Sequence, residues 1–536
     1  MRPKHNATIQ ERLQTLIDST IFDVLKLQHP DSLKKLVPIA GDITSPNLGI
    51  SADDEKILHE NVSVIIHSAA TVKFDEVMSL SADINVGGVQ RVLQLAKNMK
   101  NICAIVHIST AYSNCDKKAI REIVYPASFD PSIAINTFSW LSDPVLQKIT
   151  PDLIGSKPNT YAYTKSLAEH MVQCNRGDLP VCIVRPSIVT ATVKEPIPGW
   201  VDNWQGASGI LIAHGKGLLG ATVANEDIVI DWIPVDYLVN LIITAAWDLG
   251  MTKSPELVVY NCCSSQLNPL TQRAIKQFSM EGYKKTPFGS QPIMLKHYMK
   301  VQTAVRVTTY FRNNDWNFTS ENLLHLRDKM APIDKKIFNF NVEDIKWQIY
   351  IHNYIHGLRK FILKEDDSTL EGARRRLRRI TVFHSVIRIL SFLLVIGISS
   401  NIVKGWVARR NLELLMKWWW TLAPFVLSLS ILYDFELVSQ LPPYLFILAA
   451  SLPFKILTGC VVFRCCLILF EKCFPHDKET WVSRFDHYVQ EKFSRRQFLI
   501  RWRTMKVEGA TMYNEELKNA YTCLKKICFK MRDFYH

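Results

Sequence analysis

The sequence predicts an α/β fold: a doubly wound parallel sheet, followed by a small helical domain and C-terminal apolar helices. Three observations predict it. Between residues 36 and 190, short β-branched apolar runs alternate with helical patterns, as expected of strands covered on both faces. Polar residues with chemical potential stand at the ends of those runs, where ligands sit in such sheets. Beyond residue 370, arginines cluster and then give way to long uncharged runs.

The runs that read as strands are Leu36–Ile43, Val62–Ala70, Ile102–Thr110 and Val181–Ser187. Helical patterns between them cover Val86–Met99 and Tyr161–Cys174. The strand ends to inspect are therefore Gly41-Asp42, Ser68-Ala69-Ala70, Ser109-Thr110 and Pro186-Ser187. From about 255 to 330 the pattern is weaker, mixed and mainly helical. Ile345–Leu363 is aromatic-rich and helical, and Ser368-Thr-Leu-Glu371 has capping-box spacing before a further helix.

That last helix carries Arg374, Arg375, Arg376, Arg378 and Arg379, and three apolar runs follow at 389–403, 418–433 and 441–470. A membrane-spanning helix needs about 20 apolar residues. Each run is short or interrupted taken singly, but three together, with Trp418, Trp419 and Trp420 suited to an interface, predict a membrane region. The arginine cluster then places the N-terminal part in the cytosol. The tail 471–536 is basic, with 14 Lys or Arg against 9 Asp or Glu, and amphipathic over its last helical stretch.

Composition limits the alternatives. With 536 residues the chain holds about three or four units. A hydrophobic content of 48% against 21% charged excludes wholesale disorder. The 12 cysteines lack any C-x-x-C spacing, which fits reduced thiols rather than a disulfide framework or a metal site. The first residues show no apolar secretory segment. A net charge of +14 allows nucleic acid, anionic membrane or phosphate ligands. Arginines beside apolar runs, without a nucleic-acid motif, favour the membrane.

Tyr161-Ala-Tyr-Thr-Lys165 puts a phenol and an ammonium on one face at the start of a helix. The ammonium favours phenolate and is expected to lower the phenol pKa, making Tyr161 a candidate acid. Alone, the spacing is common on helix surfaces. In context it is harder to dismiss: Ser109-Thr110 ends one strand, Ala69-Ala70 ends another and would let a flat ring approach, Asp42 ends a third, and Asn85 opens a helix.

On these residues the chain resembles the extended short-chain dehydrogenase/reductases, and within them the fatty acyl-CoA reductases. The resembling stretches are VPIAGDITSPNLGIS, IIHSAATVKFDE, INVGG, HISTAY, PNTYAYTKSLAEH, VRPSIV, PGWVDNWQG, IPVDYLVN and VYNCCSS, with YIHGLRKFILKED further on. The resemblance implies a Rossmann-type reductase domain over 1–265, a connecting region over 266–342, a small helical domain over 343–380, a membrane region of two to three helices over 381–470, and the basic tail 471–536. It implies NADPH as cofactor and a long-chain fatty acyl-CoA as substrate, reduced through an aldehyde to a primary alcohol and free CoA. Tyr161 would donate the proton, Lys165 would bind the nicotinamide ribose and acidify Tyr161, and Thr110, or less favourably Ser109, would orient the carbonyl. Arg2 and Lys4 would lie near the 2′-phosphate. Asp42 and Ile43 would flank the adenine, Ala69, Ala70, Thr71 and Asn85 would line the cofactor, and Pro186, Ser187 and Ile188 would lie beside the nicotinamide. No metal is implied. The membrane lipid would be peroxisomal or endoplasmic reticulum, and a homo-oligomer stays open.

Two departures stand out. The family begins with a strand and a T-G-x-x-G-x-x-G turn, whereas this sequence has neither, so the reductase domain reads as N-terminally truncated with an exposed strand edge. The rival reading is therefore an inactive, membrane-anchored relative. Gly215-Lys-Gly217-Leu-Leu-Gly220 matches G-x-G-x-x-G after a run, Ile210–Ala213, that reads as a strand. It lies after the Tyr-Lys pair with no βαβ unit around it, and is not expected to hold a dinucleotide. The stretch 286–318 looks shortened against the family, where the acyl chain would be held.

Overall fold

In a computed structural model the described residues are 1–409, without 3–6, 128, 220–224, 290–302 and 304. Residues 1–394 fall in one unit, and the account below concerns that unit. Four parallel strands form its sheet: β1 (Val64–His67), β2 (Ala104–Ile108), β3 (Val181–Pro186) and β4 (Val258–Cys262), adjacent in that order. Among the described residues nothing pairs with the outer edge of β1, whose Val64 and Ile66 are 42% and 50% exposed.

Helices cover both faces, and the side chains show the two-residue alternation of a strand. Ile105, Val181, Ile183 and Val259 point into a core built with α1 (Gly88–Lys97) and α2 (Thr160–Asn175). Ala104, Val106, Cys182, Val184 and Tyr260 point the other way, towards α3 (Val235–Thr252) and, beyond it, helices at Glu321–Lys329 and Trp347–Gly357. Each buried Ile or Val in these layers contributes roughly 1.5–3 kcal/mol of transfer free energy. β2 and β3 are buried on both faces, which is why they lack any polar alternation in sequence.

Three of the four expected strands form, each a little shorter than its apolar run. Leu36–Ile43 is the exception. It is extended chain whose Gly41 N–H donates to Met1 O, while the Met1 amino group bonds Ile39 O. A strand is defined by its ladder, and apolar β-branched residues without a paired neighbour do not make one. The region 255–330, expected to be mainly helical, contributes β4 as well as helices Gln272–Lys285 and Glu321–Lys329. The run Ile210–Ala213 is helical, within Ala207–Gly215.

The helical domain docks on the loops that follow β3. Trp347–Gly357 lies against Gln272–Lys285. Its Tyr350 hydroxyl bonds Thr190 Oγ1 (2.6 Å) and Ala191 O (2.7 Å), and its Tyr354 hydroxyl bonds Ser208 Oγ (2.7 Å). A Cβ on Gly357 would lie 1.7 Å from Gly199 O, so these two backbones approach as only glycine permits. Arg359, wholly buried, holds the carbonyls of Pro287, Glu365 and Asp366. Lys216 pairs with Glu365 at 2.9 Å. The Gly215–Gly220 motif thus follows a helix instead of a strand, and a Cβ on Gly215 would strike Phe288. Its glycine serves packing.

The capping box expected at Ser368 is replaced by Asp366, whose carboxylate accepts from Ser368 N. From there Leu370–Arg409 is a single helix. Among the described residues no helix is long and apolar enough to cross a membrane. The runs 418–433 and 441–470 lie outside the described residues.

Candidate active site

Asn159 opens α2 by accepting from Ala162 N, so Tyr161 sits in the first turn, beside the C-terminal end of β2. The Thr110 side chain lies within reach of the Tyr161 hydroxyl. One turn on, Lys165 is buried, and its Nζ donates to Ile108 O at 2.8 Å. That bond uses one of three protons and leaves two for a ligand. The structure therefore brings Thr110, Tyr161 and Lys165 together.

The pKa directions differ from the sequence expectation. Burial pushes the Tyr161 phenol up to about 12, and the nearby Thr110 hydroxyl only partly offsets this. The expected lowering by Lys165 does not occur, because desolvation of the phenolate dominates. Tyr161 is consequently a neutral O–H donor across the physiological range. Burial also pushes Lys165 down to about 8, against an opposing pull from Glu169.

Ser109 is placed elsewhere. Its hydroxyl donates to Glu169 Oε1, which also accepts from Ser113 Oγ at 3.1 Å. Glu169 in turn forms a two-pronged pair with Arg185, at 2.8 Å from Nε and 2.7 Å from Nη2. Arg185 and Glu169 are 0% and 1% exposed, and the remaining guanidinium protons reach the carbonyls of Arg121 and Ile123. The buried pair clamps α2, which carries Tyr161 and Lys165, to β3. Sequence reading missed it. An arginine inside the apolar run Val181–Ser187, and a glutamate four residues after Lys165, were the available signals.

His67 and His107 face each other in register on β1 and β2, with Nδ1 atoms 3.1 Å apart. Burial, then Lys165, pushes His67 down to about 4. Burial, then His67 and Lys165, holds His107 well below the ordinary range. Both rings are neutral beside Lys165.

The residues expected to meet a cofactor mostly stand at the ends of β1 and β3 and on the loops beside them. Ala69 is exposed, and Ala70 and Thr71 are half-buried, beside the exposed face of β1. Thr71 N–H donates to Asn85 Oδ1 at 3.0 Å, and Asn85 Nδ2 donates to Thr164 Oγ1 at 2.9 Å. Asn85 is itself buried, so it fixes the loop from behind. Asp42 accepts from Thr44 and pairs with Arg2 at 2.8 Å. The Thr44 backbone bond is the main cause that holds its carboxyl below the usual range. Ile43 lies against Gly88, where a Cβ would come within 2.6 Å of it. Pro186 ends β3, Ile188 pairs with Trp232, and the buried Ser187 hydroxyl has no partner. Lys4 lies outside the described residues. A dinucleotide fits this arrangement: small side chains beside an open strand face, spare lysine protons, and an orphan hydroxyl at the neighbouring strand end. Among the described residues no cluster of side chains could hold a metal.

Comparison with known proteins bears on this site. Two family models, each described as male sterility protein, match residues 1–242 and 284–365. Fatty acyl-CoA reductase 1 of Mus musculus is 36% identical over 420 residues, covering 71% of this chain and 82% of the mouse protein. Fatty acyl-CoA reductase 2 of the same species is 35% identical over 435 residues, covering 74% and 84%. Among solved structures, the terminal R domain from the myxalamid PKS-NRPS biosynthetic pathway is 19% identical, with a TM-score of 0.48, covering 68% of this chain and 85% of that one. On the strength of the sequence matches, the chain belongs to the fatty acyl-CoA reductase family.

Proposed function

We propose that the chain is an NADPH-dependent, alcohol-forming fatty acyl-CoA reductase, with Thr110, Tyr161 and Lys165 as its reactive residues. The observation that carries the reading is the grouping of buried Thr110 and Lys165 with half-buried Tyr161 at the C-terminal end of β2, in a chain of this family. Ala69, Ala70, Thr71, Pro186, Ser187 and Ile188 would hold the dinucleotide, Lys165 its ribose, and Asp42 and Ile43 its adenine. The chemistry a bound nicotinamide supplies is hydride.

The side chains here do the rest. The Thr110 and Tyr161 hydroxyls fix the thioester carbonyl oxygen, and Tyr161 gives that oxygen a proton as negative charge develops on it. As the hemithioacetal expels thiolate it returns its hydroxyl proton to the Tyr161 phenolate, giving an aldehyde whose oxygen is bound and protonated by the restored phenol in the same place. Lys165, cationic below about pH 8, steadies the phenolate left behind. The Arg185–Glu169 pair holds α2, and with it Tyr161, in register with Thr110.

A tether to membrane lipid belongs to this proposal. Its support is the arginine cluster on Leu370–Arg409, followed by exposed Val382, Phe383, Ile389 and Leu390. The test of the activity is direct. The purified chain with NADPH and a long-chain acyl-CoA is expected to yield primary alcohol; NADPH binding without product would support the inactive-relative reading instead.

Two predictions follow from the geometry. Thr110→Val is expected to lower kcat/KM about a hundredfold, as for loss of one donor to an oxyanion. Ser109→Ala keeps the chemistry and lowers stability by about 1 kcal/mol through its lost bond to Glu169. Steady-state kinetics and denaturant unfolding separate the two hydroxyls. The second concerns pH. Turnover is expected to fall as pH rises through about 8, when Lys165 loses its charge. The phenol, at about 12, titrates far above this. His67 and His107, from the facing strands, are already neutral. A pH–rate profile that stays flat to pH 10 would contradict it. Stability runs the other way. The lysine pKa is depressed on folding, so the unfolded chain binds more protons between about 8 and 10.5 and Lys165 favours folding more as pH rises.

A further inference from the structure

The apolar side of Tyr161 is closed by a chain of aromatic rings, part of a small core cluster to which the chemistry above gives no role. The Phe74 ring lies 5.6 Å from the Tyr161 ring, tilted by 31°, and 5.5 Å from Phe311. Phe311 meets Tyr112 edge-on at 5.1 Å, and Tyr112 meets Trp316 edge-on at 5.3 Å. The crevice behind them, lined among others by Tyr112, Phe311, Trp316 and Phe318, is too narrow for a water molecule.

The two ends of this chain are held differently. Phe311 is 8% exposed and fixed on both sides: the Tyr310 hydroxyl and the Trp316 indole N–H both donate to Cys115 O, at 3.0 and 2.9 Å. Asn317–Phe318 then pairs with Ala119–Ile120. Phe74 is half-buried on the loop after β1, outside any ladder. Its loop is held through Thr71, a Lys73–Glu76 pair and a bond from Thr160 Oγ1 to Glu76 O at 3.0 Å, none of which grips the ring. Of the two, Phe74 is the ring that can swing while Phe311 stays.

Resting on the reductase reading above, we propose that Phe74 is a specificity-determining residue, which sets how much bulk the acyl chain can carry next to the reacting carbonyl. The carbonyl oxygen must reach the Thr110 and Tyr161 hydroxyls. The nicotinamide side is taken by the strand ends at Ala69–Thr71 and Pro186–Ile188. The first carbons of an apolar acyl chain therefore leave along the aromatic wall, the apolar surface that touches Tyr161. Phe74 must turn aside to admit them, and the rigid Phe311 behind it limits how far. A straight chain passes, and a branch at the carbon next to the carbonyl meets the ring.

The experiment compares hexadecanoyl-CoA with 2-methylhexadecanoyl-CoA in the full chain, in Phe74→Ala and in Phe74→Leu, with NADPH affinity measured in each. The wild type is expected to prefer the straight substrate. Phe74→Ala is expected to shift the ratio of kcat/KM towards the branched substrate by about tenfold or more, the scale of one hydrocarbon group in an apolar site. Phe74→Leu restores most of the preference, and NADPH affinity stays within about twofold, below the smallest shift expected of a lost contact. A ratio unchanged in Phe74→Ala, or both substrates falling together, overturns the proposal while leaving the reductase reading intact. A wild type that reduces neither substrate overturns both.

Discussion

Replacing Tyr161 by phenylalanine is expected to abolish alcohol formation while leaving NADPH affinity near that of the wild type. The substitution removes one oxygen from a ring that packs on Phe74 and whose hydroxyl lies within reach of Thr110. Packing is kept and the proton donor is lost. Because burial holds the phenol near 12, no other nearby group takes its place: the histidines beside Lys165 carry no proton to spare at neutral pH. General-acid catalysis by a positioned side chain accounts for about a hundred- to ten-thousandfold, and anchoring of the carbonyl by the same hydroxyl adds to it. Single-turnover NADPH oxidation and equilibrium binding give the two readouts. A variant that keeps more than a tenth of wild-type turnover would contradict the role, since even the lower bound of that range is larger.

The largest effect on stability is expected at Glu169. Glu169→Gln leaves the wholly buried Arg185 guanidinium without its counter-charge and disturbs the bonds from Ser109 and Ser113. Breaking one partner of a buried pair costs about 3–5 kcal/mol, because the other charge stays desolvated. Removing both charges together, in Glu169→Leu with Arg185→Met, is expected to be less damaging than Glu169→Gln alone. Denaturant unfolding of the three chains checks this. If the double variant is the least stable, the pair is worth more than its desolvation cost and the argument fails. Activity is expected to fall with these variants even where the chain stays folded, because α2 carries Tyr161 and Lys165.

The parts of this fold that were legible in sequence are those whose residues contact both layers. Apart from His107 and Arg185, β2 and β3 are apolar because their side chains meet one core or the other. Their ends, with Thr110 and Ser187, could be located on that ground alone. Leu36–Ile43 has the same composition and forms no strand, because pairing depends on a neighbour that composition does not reveal. Tyr161 and Lys165 were legible from spacing, but the phenol pKa was not: a neighbouring ammonium and burial act in opposite directions, and only packing decides between them. Ser109 and Thr110 are adjacent and chemically alike. They are told apart by the alternation of a strand, which turns one towards Glu169 and the other towards Tyr161. The His67–His107 contact was invisible because its members meet only through the register of β1 and β2, and the Arg185–Glu169 pairing depends on how α2 packs on β3, which composition does not reveal.

In the proposed reaction one site reduces a thioester twice, with Tyr161 protonating the same oxygen each time. The most direct test is stoichiometry: NADPH consumed, CoA released and alcohol formed, measured together with a long-chain acyl-CoA. Two NADPH are expected to be oxidised for each CoA released and each alcohol formed, with little free aldehyde. One NADPH per CoA with aldehyde as the end product, or CoA release without NADPH oxidation, would contradict it.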